Sequence, residues 1–260
     1  MRKALAVMSL LLLVGLMGCT QSTSTSTTPP VPVNTCATSV GSMVYQSVTA
    51  DNLALASIGV YGLGAAGIVN KAPTYSAGWW STSETISIST MTMAYTYNVK
   101  ITDVGGNLID TAAKLDALLL ANVDRVETYT TVTITSITGT TTSFTISLGA
   151  SKDNPLIFTG VGSNSISAKS ISGPVSYSGS DSDGTSYAVS MTYSSVTLSA
   201  SGYPSGTITF SISSGGSEIV AGSFVGDGDA TATLTFTSGY SGSYTVNLAA
   251  NPPTVTPASL

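Results

Sequence analysis

The chain has no histidine, and that absence removes more chemistry than any other feature of its 260 residues. Without imidazole there is no Ser-His-Asp or Cys-His catalysis, no histidine zinc site and no ordinary proton shuttle at neutral pH. Charge is scarce as well: Lys, Arg, Asp and Glu together make 8% of the chain, far below the ~25% of an average soluble domain. The formal net charge is −5, which makes nucleic acid and anionic lipid head groups poor partners. Two cysteines are too few for the disulfide framework of a small secreted scaffold. Serine and threonine, close to a third of all positions, stand where charge usually does, and they predict a surface that is hydroxyl-rich rather than ionic.

What is present begins at the N-terminus. Arg2 and Lys3 precede an apolar stretch from Ala4 to Val14, which is shorter than the ~20 residues a membrane-spanning helix needs. The run Leu16-Met17-Gly18-Cys19 follows, and it resembles the lipobox of bacterial lipoproteins. The resemblance implies that the Cys19 thiol receives a diacylglyceryl group, that the chain is cut before Cys19, and that the new terminus is acylated. It further implies a place in the bacterial cell envelope, with the membrane reached through the lipid anchor. Thr20 stands where an aspartate would hold such a protein at the inner membrane, which points to the outer membrane instead. Loss of residues 1–18 removes Arg2 and Lys3 and leaves six basic against thirteen acidic side chains, a net charge of about −7. A lipidated Cys19 also predicts no intramolecular disulfide, with Cys36 an inert residue beside the tether.

Residues 19–35 carry the anchor and a Ser/Thr/Pro tether without charge or apolar bulk. Such a stretch cannot bury enough surface to offset its chain entropy, so a solvated tether is expected, stiffening at Pro29-Pro30. Residues 36–250 form one domain by this reading, and 251–260 a C-terminal tail.

Within the domain the dominant period is two. Met91, Met93, Tyr95, Tyr97, Val99 and Ile101 alternate with mostly polar residues, the signature of a strand with one buried face. Ile86 and Ile88 lie on the other parity, which predicts a bulge near Ser89. Tyr187 to Tyr193, Phe144 to Leu148, Ile208 to Ile212, and Leu234 with Phe236 alternate in the same way. Gly105-Gly106, Thr138-Gly139-Thr140, Asp153-Asn154-Pro155, Asp183-Gly184, Ser214-Gly215-Gly216 and Ser238-Gly239 supply hairpin turns between such runs. One amphipathic helix is predicted from Asp110 to Val123, capped by Asp110, with Leu108, Ala112, Leu115, Leu119 and Val123 on one face and an Asp110–Lys114 pair on its surface. The expected fold is therefore mainly β: an antiparallel sheet domain, sandwich or curved half-barrel, with one packed α-helix.

The apolar stretch from Asp51 to Asn70 contains Gly62-Leu63-Gly64-Ala65-Ala66-Gly67, which matches a dinucleotide fingerprint in letters alone. No βαβ frame surrounds it, so a helix from Asn52 packing on the sheet is the preferred reading. Two acidic turns offer carboxylates for calcium, one through Asp181 and Asp183 and the other through Asp227 and Asp229, but both fall short of a full calcium motif and solvated hairpin tips are the preferred reading. No other cofactor is indicated. Trp79 and Trp80 precede the longest strand, and because neighbours in a strand point to opposite faces, one of them is expected to be exposed as a binding surface.

The expected function is a membrane-anchored envelope lipoprotein whose β-domain is structural or binding and not an enzyme, with an envelope or extracellular partner. A carrier of a lipid or other apolar ligand, held against the Met91 to Ile101 face, is the first alternative. A carboxylate-dependent hydrolase using Glu84, Glu127 or Glu218 is the second.

Overall fold

The computed structural model describes residues 35–45, 47, 72–88, 91–138, 140–162, 169–180, 184–251 and 253–258. Alternating sequence becomes strand throughout. The sheet opens with β1 (Thr74–Ser76), β2 (Trp79–Ile88) and β3 (Met91–Asp103), continues through β4 (Val123–Thr128), β5 (Thr130–Thr138), β6 (Thr140–Leu148), β7 (Leu156–Thr159) and β8 (Ser170–Ser180), and runs on through β9 (Ser186–Leu198) and β10 (Pro204–Ser214). It ends with β11 (Ser217–Asp227), β12 (Thr231–Ser238), β13 (Gly242–Asn247) and β14 (Thr254–Pro257).

Two of these divisions are local. β4 and β5 hold one register against β3 on either side of Tyr129. β6 and β7 are likewise halves of one strand, parted by an excursion at 149–155 while both still pair with the same neighbours. The fourteen strands thus trace an up-and-down meander twelve strands wide, antiparallel at every seam.

Because the pairing is in register, one face collects the apolar residues of every strand. Trp80, Val99 and Ile101 begin it, Leu148, Val175, Tyr177 and Met191 continue it, and Phe210, Phe224, Leu234 and Val246 complete it, all buried in one core cluster. The other face carries Ser and Thr. Flat, twelve strands at ~4.8 Å spacing would span roughly 50 Å, and sheets of that width curl under their own twist. The hollow side of this one is filled by a helix, α1, in which residues 35–45 and 47 are helical. Cys36, Ala37, Val40, Met43 and Val44 are buried on it, a 3.6-period stripe in a segment whose many Ser, Thr and Gly residues disguise its helicity. Gly41 approaches Val246 and Val255 on β13 and β14. One and a half turns on, Ser47 meets β9, accepting from the Tyr193 hydroxyl at 3.0 Å and donating to the Val44 carbonyl at 2.7 Å. Complete burial of Val40 and Val44 stabilises by about 1.5–3 kcal/mol each.

Glycine makes the tightest packing feasible. At Gly222 a Cβ would lie 2.8 Å from Cζ of Phe210 and 2.2 Å from the Thr235 carbonyl oxygen. Phe210 and Phe236 are the residues paired with Gly222 from either side, and their rings close over it edge to face at 6.2 Å. The missing side chain is replaced by two aromatic ones.

The structure bears out the antiparallel sheet with a packed helix and corrects three local expectations. The predicted helix from Asp110 to Val123 is cut to α2 (Ala112–Asp116), capped by Thr111 rather than Asp110, and followed by a single 3-10 turn at Leu120–Asn122. The Val104 N–H bonds the Asn122 carbonyl at 2.9 Å, which ties the end of this connection back to its start. A straight helix could not make that return, so Leu119 of the expected apolar stripe is 65% exposed. The Asp110–Lys114 ion pair does form, at 2.7 Å. In place of one bulged strand, β2 and β3 are two antiparallel strands with Ile88 paired to Met91, while Ser89 itself lies outside the described residues. This register matches even positions with odd ones, which is the parity change visible in the sequence. Finally, Cys36 is disulfide-bonded, where none was expected. The sequence has one other cysteine, Cys19, outside the described residues; its sulfur can form a disulfide or carry a lipid, but not both.

Replacement of Gly222 by alanine should lower the unfolding free energy by about 1–3 kcal/mol, since carbonyl and ring must both shift. Urea unfolding measures this, and a neutral result would show that the Phe210–Phe236 closure is not tightly packed.

Candidate functional site

The outer face is built by the same alternation, read on the other parity. Across seven consecutive strands the register aligns Ser83, Thr96, Thr131, Ser147, Ser176, Ser190 and Ser211 in one row. A second row aligns Thr192, Thr209, Ser223, Thr235 and Ser243. Among the described residues three cross-strand hydroxyl bonds tie parts of this face, Thr133 to Thr145 and Thr235 to Ser243 at 3.0 Å each and Thr159 to Ser170 at 2.5 Å.

The lattice is depressed along the seam between β6 and β8. One hollow of about 360 Å³ is lined by Ser143, Thr145, Ser178, Ser180 and their neighbours on β9 and β10. Another of about 270 Å³ is lined by Thr131, Ser147, Ser176, Gly149 and Pro174. The first takes in the cross-strand pairs Ser143/Ser180 and Thr145/Ser178 and the second the next pair, Ser147/Ser176, so the two hollows follow one another along one furrow. From Ser143 to Leu148, where β6 ends, five residue steps make it about 17 Å long. No Asp, Glu, Lys or Arg lines either hollow. Sequence reasoning missed this furrow, although its signal, hydroxyls at every second position in 141–147 and 176–180, was legible.

Neither tryptophan is exposed, contrary to the expectation that one would be: Trp79 is 9% and Trp80 3% accessible. They do point to opposite faces, but both faces are covered at this corner. Trp80, on the inner side, donates its indole N–H to the Ile109 carbonyl at 2.6 Å and packs on Tyr75, with Leu115 and Leu118 against the same core. Trp79, on the outer side, is covered edge-on by Tyr129 at 4.8 Å between ring centres.

The three glutamates do not converge. Glu84 is paired across strands with Tyr95 on the inner face and accepts its hydroxyl at 2.5 Å. Burial, followed by that bond, pushes the Tyr95 hydroxyl pKa up. Glu127 lies on the outer face, where one of its carboxylate oxygens takes both Lys100 at 3.1 Å and Arg125 at 2.9 Å. Glu218, near the β10–β11 turn, bonds Ser211, and hydrogen bonds from Ser238 and Ser211 hold its carboxyl below the usual range.

Of the acidic turns, Asp181 and Asp183 fall outside the described residues. Asp227 and Asp229 lie in the β11–β12 turn, where the Asp229 carboxylate is already engaged by the Thr231 N–H at 2.7 Å and hydroxyl at 2.8 Å. Among the described residues no group of three or more acidic or cysteine side chains could hold a metal ion. The Gly62–Gly67 string also lies outside the described residues. Among the described residues no helix is long and apolar enough to cross a membrane.

Comparison of the chain with family models, curated proteins and solved structures finds no match.

The Thr231 bonds lower the Asp229 carboxyl pKa. Because the folded value is the depressed one, these bonds are complete above the ordinary aspartate pKa of about 3.9 and are lost as pH falls through the lower folded value. In an NMR titration the Asp229 midpoint should lie below that ordinary value, and Thr231→Val should raise it. A midpoint at or above the ordinary value in the unmodified protein would contradict the turn geometry.

Proposed function

We propose that the protein is a lipid-anchored component of the bacterial cell envelope, held at the outer membrane through Cys19, whose thiol must be freed from any disulfide with Cys36 before it is acylated, with a β-domain that binds or scaffolds and does not catalyse. The observation that carries this reading is the Leu16-Met17-Gly18-Cys19 run behind a short basic and apolar leader. The domain's build supports it. Its carboxylates are dispersed over two faces and separate turns, its inner face is occupied by α1, and its broad outer face is a hydroxyl lattice with few charges.

A carrier of lipid or another apolar ligand is supported by one feature. The face expected to hold the ligand is packed from Tyr95 to Ile101, but Met91 at its end is 40% exposed, and Met93, Ile134 and Phe144 beside it are only partly buried. Native mass spectrometry of gently released protein separates the two readings: a co-purifying lipid favours the carrier, a bare mass the binding or scaffolding domain.

The anchor is tested directly by Cys19→Ser. The variant should move from the membrane to the soluble fraction with its circular dichroism and melting temperature unchanged, and intact mass should show the membrane-extracted parent beginning at an acylated Cys19. A variant that stays with the membrane, or an unacylated parent, would overturn the proposal.

A further inference from the structure

The furrow between β6 and β8 is a ligand surface with an unusual inventory. Every backbone N–H and C=O that could serve an added peptide strand is directed along the sheet, and β6 and β8 are each paired on both sides. The seam therefore offers a ligand side chains alone. Those side chains are mostly hydroxyls, with Tyr187, Ala188, Pro174 and Ala150 beside them, and among the described residues the hydroxyls of Ser143, Ser147, Ser176, Ser178 and Ser180 have no protein partner. Each is one donor and two acceptors, held on a strand rather than a mobile loop, so little is lost in ordering it on binding.

The same inventory excludes the other ligand classes. With no cation in the lining, an anionic polymer would lose its hydration without gaining a counter-charge. With no carboxylate there, a cation fares no better. An apolar ligand would bury hydroxyls without partners, at a cost for each. What remains is a neutral, extended chain that is itself dense in hydroxyls and can exchange bound water for direct bonds along about 17 Å of seam.

We infer that the β6–β8 furrow binds a segment of uncharged polysaccharide, with Ser143, Thr145, Ser147, Ser176, Ser178 and Ser180 as its hydrogen-bonding floor. This deepens the binding half of the function proposed above and rests on it only for bringing such a glycan within reach. The anchor is tested at Cys19, so failure of one leaves the other standing.

The test uses the folded chain and defined probes: maltoheptaose, cellohexaose, laminarihexaose and N-acetylchitohexaose as neutral chains, and a galacturonate oligomer as the charged counterpart. Titration calorimetry and amide NMR should find at least one neutral chain binding at millimolar concentration or below. Its affinity should be insensitive to salt, and its shifts should centre on 143–147 and 176–180. Ser147→Val with Ser178→Val should weaken binding by at least about tenfold without altering the melting temperature. Thr209→Val with Ser223→Val, on the same face but outside the furrow, should bind like the parent. The inference fails if no neutral chain binds, if the galacturonate binds as tightly, or if both double variants lose affinity equally. It fails too if sedimentation shows a dimer that the furrow variant alone dissolves, which would make a second copy of this chain the occupant.

Discussion

Each strand of this sheet is hydrogen-bonded in register to the one before it, so the face taken by one side chain settles the face of every side chain opposite it across twelve strands. A slip of one residue at any seam would put that strand's apolar set into water and its hydroxyls into the core. The repeated alternation of Val, Ile, Phe, Tyr and Met with Ser and Thr is therefore a single constraint imposed many times. Both surfaces follow from it: an inner wall continuous enough to hold α1, and an outer lattice regular enough to line up seven hydroxyls in a row.

Where the chain departs from strict alternation, the backbone absorbs the change. Tyr193 and Val196 are three residues apart and both buried, because Ser195, at φ 51°, is an extra residue bulged out of β9 against both neighbours. The excursion at 149–155 is larger but leaves the pairing on either side intact. Gly173, where a Cβ would meet the Pro155 carbonyl oxygen at 2.3 Å, lets β8 pass beneath it. The edges are kept short: β1 has three residues, and β14 has four, ending at Pro257, which leaves little ladder for another chain to extend.

An outer face with few charges shapes how this domain meets its surroundings. Ionic surfaces keep proteins apart through repulsion, whereas hydroxyls do so by holding water, and they surrender that water most readily to groups that replace it bond for bond. The few charges of the outer face are gathered elsewhere, with Lys100 and Arg125 sharing the Glu127 carboxylate. That arrangement leaves the β6–β8 seam electrostatically neutral.

By itself the sequence determined the strands, because period-two alternation is a local property, and the antiparallel order, because turn residues fill nearly every gap between them. It also determined the absence of imidazole chemistry and, through Leu16 to Cys19, the expectation of an anchor. Only the tertiary structure decided which short segments became helices. The 36–44 stripe is helical despite poor propensity because the hollow of the sheet rewards its buried face, and the leucine-rich 110–123 stretch is mostly not, because its end must return to the β3 turn. The burial of both tryptophans belongs to the same level, since Tyr129 and Ile109 reach them from distant parts of the chain. The furrow does too: alternation placed hydroxyls at 143–147 and at 176–180, but only the register between β6 and β8 set them side by side.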